Sequence, residues 1–218
     1  IGRAAEKKII EINIVNLRDF TAYRHKTVDD KPYGGGPGML MKAEPIFKAV
    51  ESLKTERSKV VLLSASGRPF KQETAREFSA EEHIILICGH YEGVDDRVRS
   101  GLADIEISIG DYVLTNGNIA ALIVVDAVTR LLPGALGCDS SVLEESFTGA
   151  LLEYPQWTRP EEFRGMRAPE ILLSGDHAAI ADWRKKQAEI KTMLVNIHRT
   201  PPACACPPDC ERPRSGRH

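Results

Sequence analysis

The sequence predicts an α/β protein built on a parallel sheet with a small helical unit after it, and two observations carry that prediction. Three short β-branched or aliphatic runs each stop at a glycine or turn signal: KVVLLSASGRP (59–69), HIILICGHYEG (83–93) and the composite ADIEISIGDYVLTNG (103–117). Between them lie helix-period stretches such as KQETAREFSAEE, with a charged face and an Ala/Phe stripe. Near-continuous apolar strands alternating with helices argue for a parallel sheet covered on both faces.

After the third strand, IAALIVVDAVTRLLPG is apolar at Leu122, Val125, Val128 and Leu132 and closes on Pro133 and Gly134, which predicts a buried helix with a clear stop. CDSSVLEESFTGALLEYPQWTRP is rich in Ser and Asp and lacks a stable period, so it reads as a linker. A helical unit follows from Pro160, where DHAAIADWRKKQ offers Asp176 as a cap and an Ala/Ile/Trp face. The expected divisions are an α/β domain over 1–137, a flexible linker over 138–159, a helical domain over 160–199 and a disordered tail over 200–218.

A chain of 218 residues is long enough to bury a real core. Its 29 basic and 31 acidic side chains give a formal charge of −2, which excludes a histone-like mode of nucleic-acid binding and leaves room for a local basic patch. No apolar run reaches the roughly 18 residues of a membrane span, and the start IGRAAEKKII lacks the apolar core of a secretory signal. The expectation is a cytoplasmic protein with no membrane partner. Cys204, Cys206 and Cys210 in the Pro-rich tail supply three thiolates where a structural zinc site wants four, so no metal site is assigned.

The glycine-bearing loops carry the chemistry. In parallel sheets ligands bind outside the carboxyl ends of the strands, and all three loops lie there. A ligand packed against turns needs backbone groups at close approach, which makes Gly67, Gly89, Gly93, Gly110 and Gly117 candidate pocket-wall positions beside the plainer reading as turn glycines. The stretch VDDKPYGGGPGML (28–40) suggests a phosphate cradle, but a P-loop places lysine and a hydroxyl after its last glycine, and here Met39 and Leu40 stand there. The G-x-G-x-G of a Rossmann-type methyltransferase is also missing.

Taken in order, HKTVDDKPYGGGPGM, LSASGRP, CGHYEGVDDRV, SIGDYVLTNG, DAVTRLLPGALG, ESF, TRPEEFRGM and LLSGDHAAIADWR resemble the bacterial tRNA (guanine-N1)-methyltransferase family, TrmD, of the SPOUT superfamily. The resemblance runs from about 3 to 187 with spacings kept. It implies a deep trefoil knot in the α/β domain (a SPOUT α/β-knot), an obligate homodimer with active sites shared between subunits, S-adenosylmethionine as methyl donor with magnesium as activator, and methylation of N1 of the guanine immediately 3′ of the tRNA anticodon. The family carries a further strand and helix before the position of Arg3.

By position match, Leu63, Ser64, Gly67, Gly89, Tyr91, Ile109, Tyr112, Leu114, Asn116 and Gly117 would line the cofactor pocket, with Glu92 at the sulfonium end. Asn116 replaces the family's glycine; if that position needs a positive φ, asparagine is the best other choice. Guanine N1 carries a proton, so transfer needs a base and a positive group for the charge that moves onto O6. The matching positions are Glu145 as base and Arg130 as the O6 partner. The family has aspartate at 145, so this base is one methylene longer, with Glu144 as the fallback. Arg3, Arg24, His25 and Asp29 would contact the anticodon stem-loop, and the glycine-rich stretch would receive RNA rather than a triphosphate. Two other readings stand beside this one: a catalytically weakened tRNA-binding relative on the same fold, and a nucleotide-phosphate enzyme built on GGGPG.

Overall fold

The computed structural model describes residues 1–22, 24–136, 146 and 151–199. The chain divides into two compact units, Ile1–Leu143 and Glu144–His218.

The first unit opens with helix α1 (Gly2–Glu6), a 3-10 turn at Leu17–Phe20, and an antiparallel pair β1 (Asp29–Asp30) and β2 (Leu40–Met41) that flanks the glycine-rich stretch. Helix α2 (Ala43–Leu53) leads into strand β3 (Ser58–Pro69). Then come α3 (Gln72–Ser79), β4 (His83–Cys88), α4 (Asp96–Gly101), β5 (Ile105–Ser108) and α5 (Asn118–Thr129). The three strands form a parallel sheet in the order β4-β3-β5. Alternate residues of β3 face opposite ways, as the period of a strand requires. Val60 and Leu62 join Ile46, Ile87 and Val98 under α2 and α4, while Val61 and Leu63 join Phe78, Ile107 and Val124 under α3 and α5. Each fully buried aliphatic side chain contributes roughly 1.5–3 kcal/mol relative to exposure. Both faces of the sheet are therefore covered, as the sequence predicts.

Strand β3 is not continuous against β5. Leu63 pairs with Ile107, and Arg68 pairs with Ile107 again, so residues 64–67 leave the ladder as a loop and return to the same partner. Gly67 closes that loop directly on the Ile107 backbone, where a Cβ would come within 2.5 Å of the Ile107 nitrogen and carbonyl carbon.

Three expectations are corrected. The run 83–93 is a strand only to Cys88, after which the chain turns, with the Gly93 N–H on the His90 carbonyl. The run 103–117 is a strand only to Ser108, because Gly110 at φ 154 leaves the ladder and 109–117 become loop. Helix α5 is not buried all round: Ala120, Val124 and Thr129 face the sheet, while Ile119, Leu122 and Ile123 are exposed by 54%, 59% and 41%. One helix against a three-stranded sheet can cover only one stripe, and its remaining apolar face stays open.

Helix α4 begins with a side-chain cap. Asp95 accepts from the Arg97 backbone N–H at 3.0 Å and takes the Arg97 guanidinium at 2.7 and 2.6 Å. The Arg97 side chain and backbone hold the Asp95 carboxyl below its ordinary value. Asp95→Ala is expected to lower stability by about 1 kcal/mol at neutral pH in urea denaturation. Since the folded value is depressed, that advantage of the wild type is full above the ordinary carboxylate range and disappears as pH falls through the folded value.

The second unit holds a hairpin, β6 (Glu162–Phe163) and β7 (Met166–Arg167), a 3-10 turn at Glu170–Leu173, and the long helix α6 (His177–Arg199). Asp176 caps α6 by accepting from the Ala178 and Ala179 N–H groups at 3.1 and 3.0 Å. A hairpin thus stands where a purely helical unit was expected. The later part of the expected linker is anchored to α6: the Leu152 N–H donates to Thr192 Oγ1 at 2.8 Å, and Arg184 lies 4.8 Å over the Tyr154 ring. The tail from 200 lies outside the described residues. Among the described residues no helix is long and apolar enough to cross a membrane.

Candidate active site

A cleft of about 480 Å³ opens at the carboxyl ends of the three strands. Its walls are the loop that leaves β3 (62–66), the turn after β4 (89–94), and the end of β5 with the segment that follows (106–110 and 112–117), closed by Ala120 of α5. Leu63, Ser64, Gly89, Tyr91, Glu92, Ile109, Tyr112, Leu114, Asn116 and Gly117 all line it. Gly67 does not; it packs behind the wall on Ile107.

The turn after β4 is held in an uncommon conformation. The Gly93 N–H donates to the His90 carbonyl at 3.1 Å, and Tyr91 sits at φ 58, in the left-handed region that costs a bulky residue energy. Its N–H donates to His90 Nδ1 at 2.8 Å, and the two rings meet edge to face at 4.3 Å between centroids. The glycine-rich stretch secures this turn from outside. The Glu92 N–H donates to the Met39 carbonyl at 3.1 Å, the Met41 N–H to Gly93 at 3.0 Å, and the Asp95 N–H to Met41 at 2.9 Å. The Glu92 side chain lies over Gly38, where any Cβ would overlap it. Gly38 therefore makes room for the Glu92 carboxylate. The tip is open, with Tyr33 fully exposed and nothing within 4 Å of an added Cβ at Gly34, Gly35 or Gly36.

The third wall folds back on the second. The Gly117 N–H donates to the Gly89 carbonyl at 2.8 Å, and His90 and Asn116 form an antiparallel bridge. A Cβ on Gly117 would lie 2.8 Å from Cys88 Cα, so this crossing admits only glycine. Asn116 is not in a positive-φ conformation. Its Oδ1 instead accepts from the Asn118 N–H at 2.9 Å and satisfies the first turn of α5, which gives asparagine its own reason to stand there. Tyr112 packs its ring on Gly110 and donates its hydroxyl to the Ile109 carbonyl at 3.3 Å.

Sequence reasoning missed part of the cleft. Ser66 donates to Glu106 Oε1 at 3.2 Å and meets Ser64 Oγ at 2.9 Å, forming a polar chain along one wall. Asp96 and Arg99 add a charged rim, where the Arg99 guanidinium at 2.7 and 3.1 Å holds the Asp96 carboxyl below its ordinary value. Glu106 interrupts an otherwise apolar IEIS strand, a signal that could have been read; Asp96 and Arg99 give none. Burial raises the nearby Cys88 thiol above its ordinary value, which keeps it protonated and inert.

The remaining expected residues are spread wider. Arg130 is the C-cap of α5, exposed and outside the cleft wall. Arg3 on α1, Arg24 and His25 are exposed, and Asp29 is half-buried in β1 opposite Met41. Glu145 and Glu144 lie outside the described residues.

A cleft of glycine-permitted backbone crossings, two tyrosines and few charges suits an organic ligand read by main-chain groups. Comparison with known proteins gives the same motifs a family. The profile described as tRNA (Guanine-1)-methyltransferase TrmD matches residues 1–198. Proteins named tRNA (guanine-N(1)-)-methyltransferase are similar throughout. That of Carboxydothermus hydrogenoformans is 58% identical over 194 residues, 89% of this chain and 77% of its own length. That of Dictyoglomus turgidum is 59% identical over 194 residues, 89% and 79% respectively, and that of Moorella thermoacetica 55% over 211 residues, 92% and 84%. With the match running through both units, the chain belongs to the TrmD family of tRNA (guanine-1)-methyltransferases.

Proposed function

We propose that this protein transfers a methyl group from S-adenosylmethionine to N1 of the guanine immediately 3′ of the anticodon in tRNA. The observation that carries the proposal is the cleft in which three strand-end loops of the family's motifs converge on one volume. Its size falls in the usual range for such a ligand, about 300–1,000 Å³. The residues fit the cofactor: Gly89 and Gly117 keep side chains out of the wall where a flat adenine would lie, Tyr91 and Tyr112 offer aromatic walls, and Glu92 offers a carboxylate to a cation. When bound, the cofactor supplies an electrophilic methyl group on a sulfonium. Glu145 would accept the N1 proton of guanine, freeing the N1 lone pair to bond the methyl carbon while the carbon–sulfur bond breaks and its electron pair stays on sulfur as a neutral thioether. Arg130 holds the charge that shifts to O6 with a planar fork of donors.

The reading includes a trefoil knot, supported by the return of 109–117 to pair under Gly89 and His90. It also includes a homodimer with shared active sites. The open apolar face of α5 (Ile119, Leu122, Ile123), together with Arg130 lying outside its own chain's cleft wall, supports that arrangement. Arg3, Arg24, His25 and Asp29 serve the anticodon stem-loop, and Arg184, Lys185, Lys186 and Lys191 on α6 serve phosphates. Magnesium enters as an activator. Among the described residues no group of three His, Cys, Asp or Glu side chains could hold a metal ion.

The test is methyl transfer from labelled S-adenosylmethionine to a tRNA transcript with guanine 3′ of the anticodon, beside one with adenine there. Methylation of the guanine transcript alone is expected. Binding of cofactor and tRNA without turnover would leave the weakened relative, and binding of a nucleoside triphosphate in place of S-adenosylmethionine would overturn the reading.

A further inference from the structure

The hairpin of the second unit displays what a soluble surface normally hides. Its two-residue turn has Arg164 at φ 52 and Gly165 at φ 77, the left-handed pair that a tight type I′ connection needs. The pairing Phe163↔Met166 sets these two side chains together on one face, and Glu162↔Arg167 puts the hairpin's own acid on the other. Phe163 and Met166 are exposed by 57% and 61%. The Arg164 guanidinium lies 5.2 Å over the Phe163 ring, and no carboxylate is within salt-bridge distance of it among the described residues.

A two-stranded hairpin is marginally stable by itself. This one is fixed at its base: the Ala168 N–H donates to the Glu161 carbonyl at 2.8 Å, Arg167 grips Glu161 at 2.9 and 2.6 Å, and Ala168 is buried. The acids Glu161 and Glu170 are both engaged by Arg167, at 2.6 and 3.8 Å. A clamped base therefore presents a tip made of an aromatic ring, a guanidinium already stacked on one of its faces, and a thioether.

We propose that this tip is a stacking platform for an unpaired base of the tRNA substrate. It rests on the proposed tRNA reading and names a contact within it. A flipped or loop base offers a π-face to the open side of Phe163, Arg164 covers the ring's other side and neutralises a neighbouring phosphate, and Met166 fills the edge. Such stacking is tolerant of base identity, so the platform contributes affinity and orientation rather than the choice of guanine.

The experiment measures binding of the full-length protein to a fluorescent tRNA transcript at fixed salt, with S-adenosylmethionine affinity and sedimentation measured in parallel. Phe163→Ala is expected to weaken tRNA binding roughly ten- to a hundredfold with cofactor affinity and oligomeric state unchanged. Phe163→Trp is expected to retain binding, and Phe163→Leu to lose it as alanine does. Wild-type affinity in Phe163→Ala overturns the platform, as does full rescue by leucine, which would mark a plain apolar contact. Loss of self-association in Phe163→Ala would assign the tip to a second copy of the chain instead. If the wild-type protein itself fails to bind tRNA, the proposed function falls, and that result is separate from any variant.

Discussion

Glu145→Gln is expected to slow methyl transfer about 10²–10⁴-fold, the range a positioned general base supplies, if Glu145 holds the proposed role. The amide keeps the size of the side chain and loses only the ability to take the N1 proton, so binding of S-adenosylmethionine and of tRNA is expected to stay near the wild-type values. The rate is measured by single-turnover transfer, which separates chemistry from product release. On the proposed role the base must be ionised, so the wild-type rate is expected to fall at low pH and the variant's profile to lose that limb. Glu145→Asp provides the complementary result: a shorter carboxylate keeps the ability to take a proton and is expected to sustain transfer that the amide loses. Should Glu145→Gln keep its rate while Glu144→Gln loses it, the base is the neighbouring carboxylate.

Gly67→Ala is expected to abolish or severely weaken the proposed binding of S-adenosylmethionine without touching it. The new methyl group would meet the Ile107 backbone at 2.5 to 2.6 Å, and strand backbone paired along β3 cannot step aside as a flexible side chain would. The expected cost is about 3 kcal/mol or more, seen as a lowered urea midpoint. The β3 loop that forms one wall of the cleft would shift with it, and titration calorimetry should find S-adenosylmethionine binding lost or severely weakened. Gly101→Ala is the control: its Cβ meets only Phe47 Cζ at an ordinary 3.5 Å, and stability should change by less than about 1 kcal/mol. Equal behaviour of the two variants would remove the close crossing as an explanation.

The strands and the cleft were legible in the sequence because their signals are local. Aliphatic runs ended by glycine gave β3 nearly to the residue and the start of β4, though not its end at Cys88, and the glycines of the strand ends pointed to the place where chains cross. Hydropathy could not tell a core face from an exposed one, which is why α5 read as buried while Ile119, Leu122 and Ile123 lie open. The hairpin was hidden because Arg-Gly is a poor turn signature beside Asn-Gly or Asp-Gly, and its strands are only two residues long. Gly67 was assigned to the pocket because a glycine at a strand end looks the same whether it faces ligand or another strand. Glu106 left a trace as the one charge in the IEIS strand, but its place beside Ser66 depends on the long-range register of β5 against β3, and Arg99 on α4 left none.

The double pairing of Ile107 also limits how such a protein can change over time. A surface loop ordinarily absorbs extra residues at little thermodynamic cost. The excursion 64–67 begins and ends on one and the same residue of the neighbouring strand, so its length is set by the ladder on both sides. Adding or removing a residue there would disturb the pairing of Arg68 and Pro69 with Ile107 and Ser108 or force the excursion to bulge further. Ligand preference at this wall can therefore be retuned by exchanging Ser64, Ala65 or Ser66, and not by insertion or deletion.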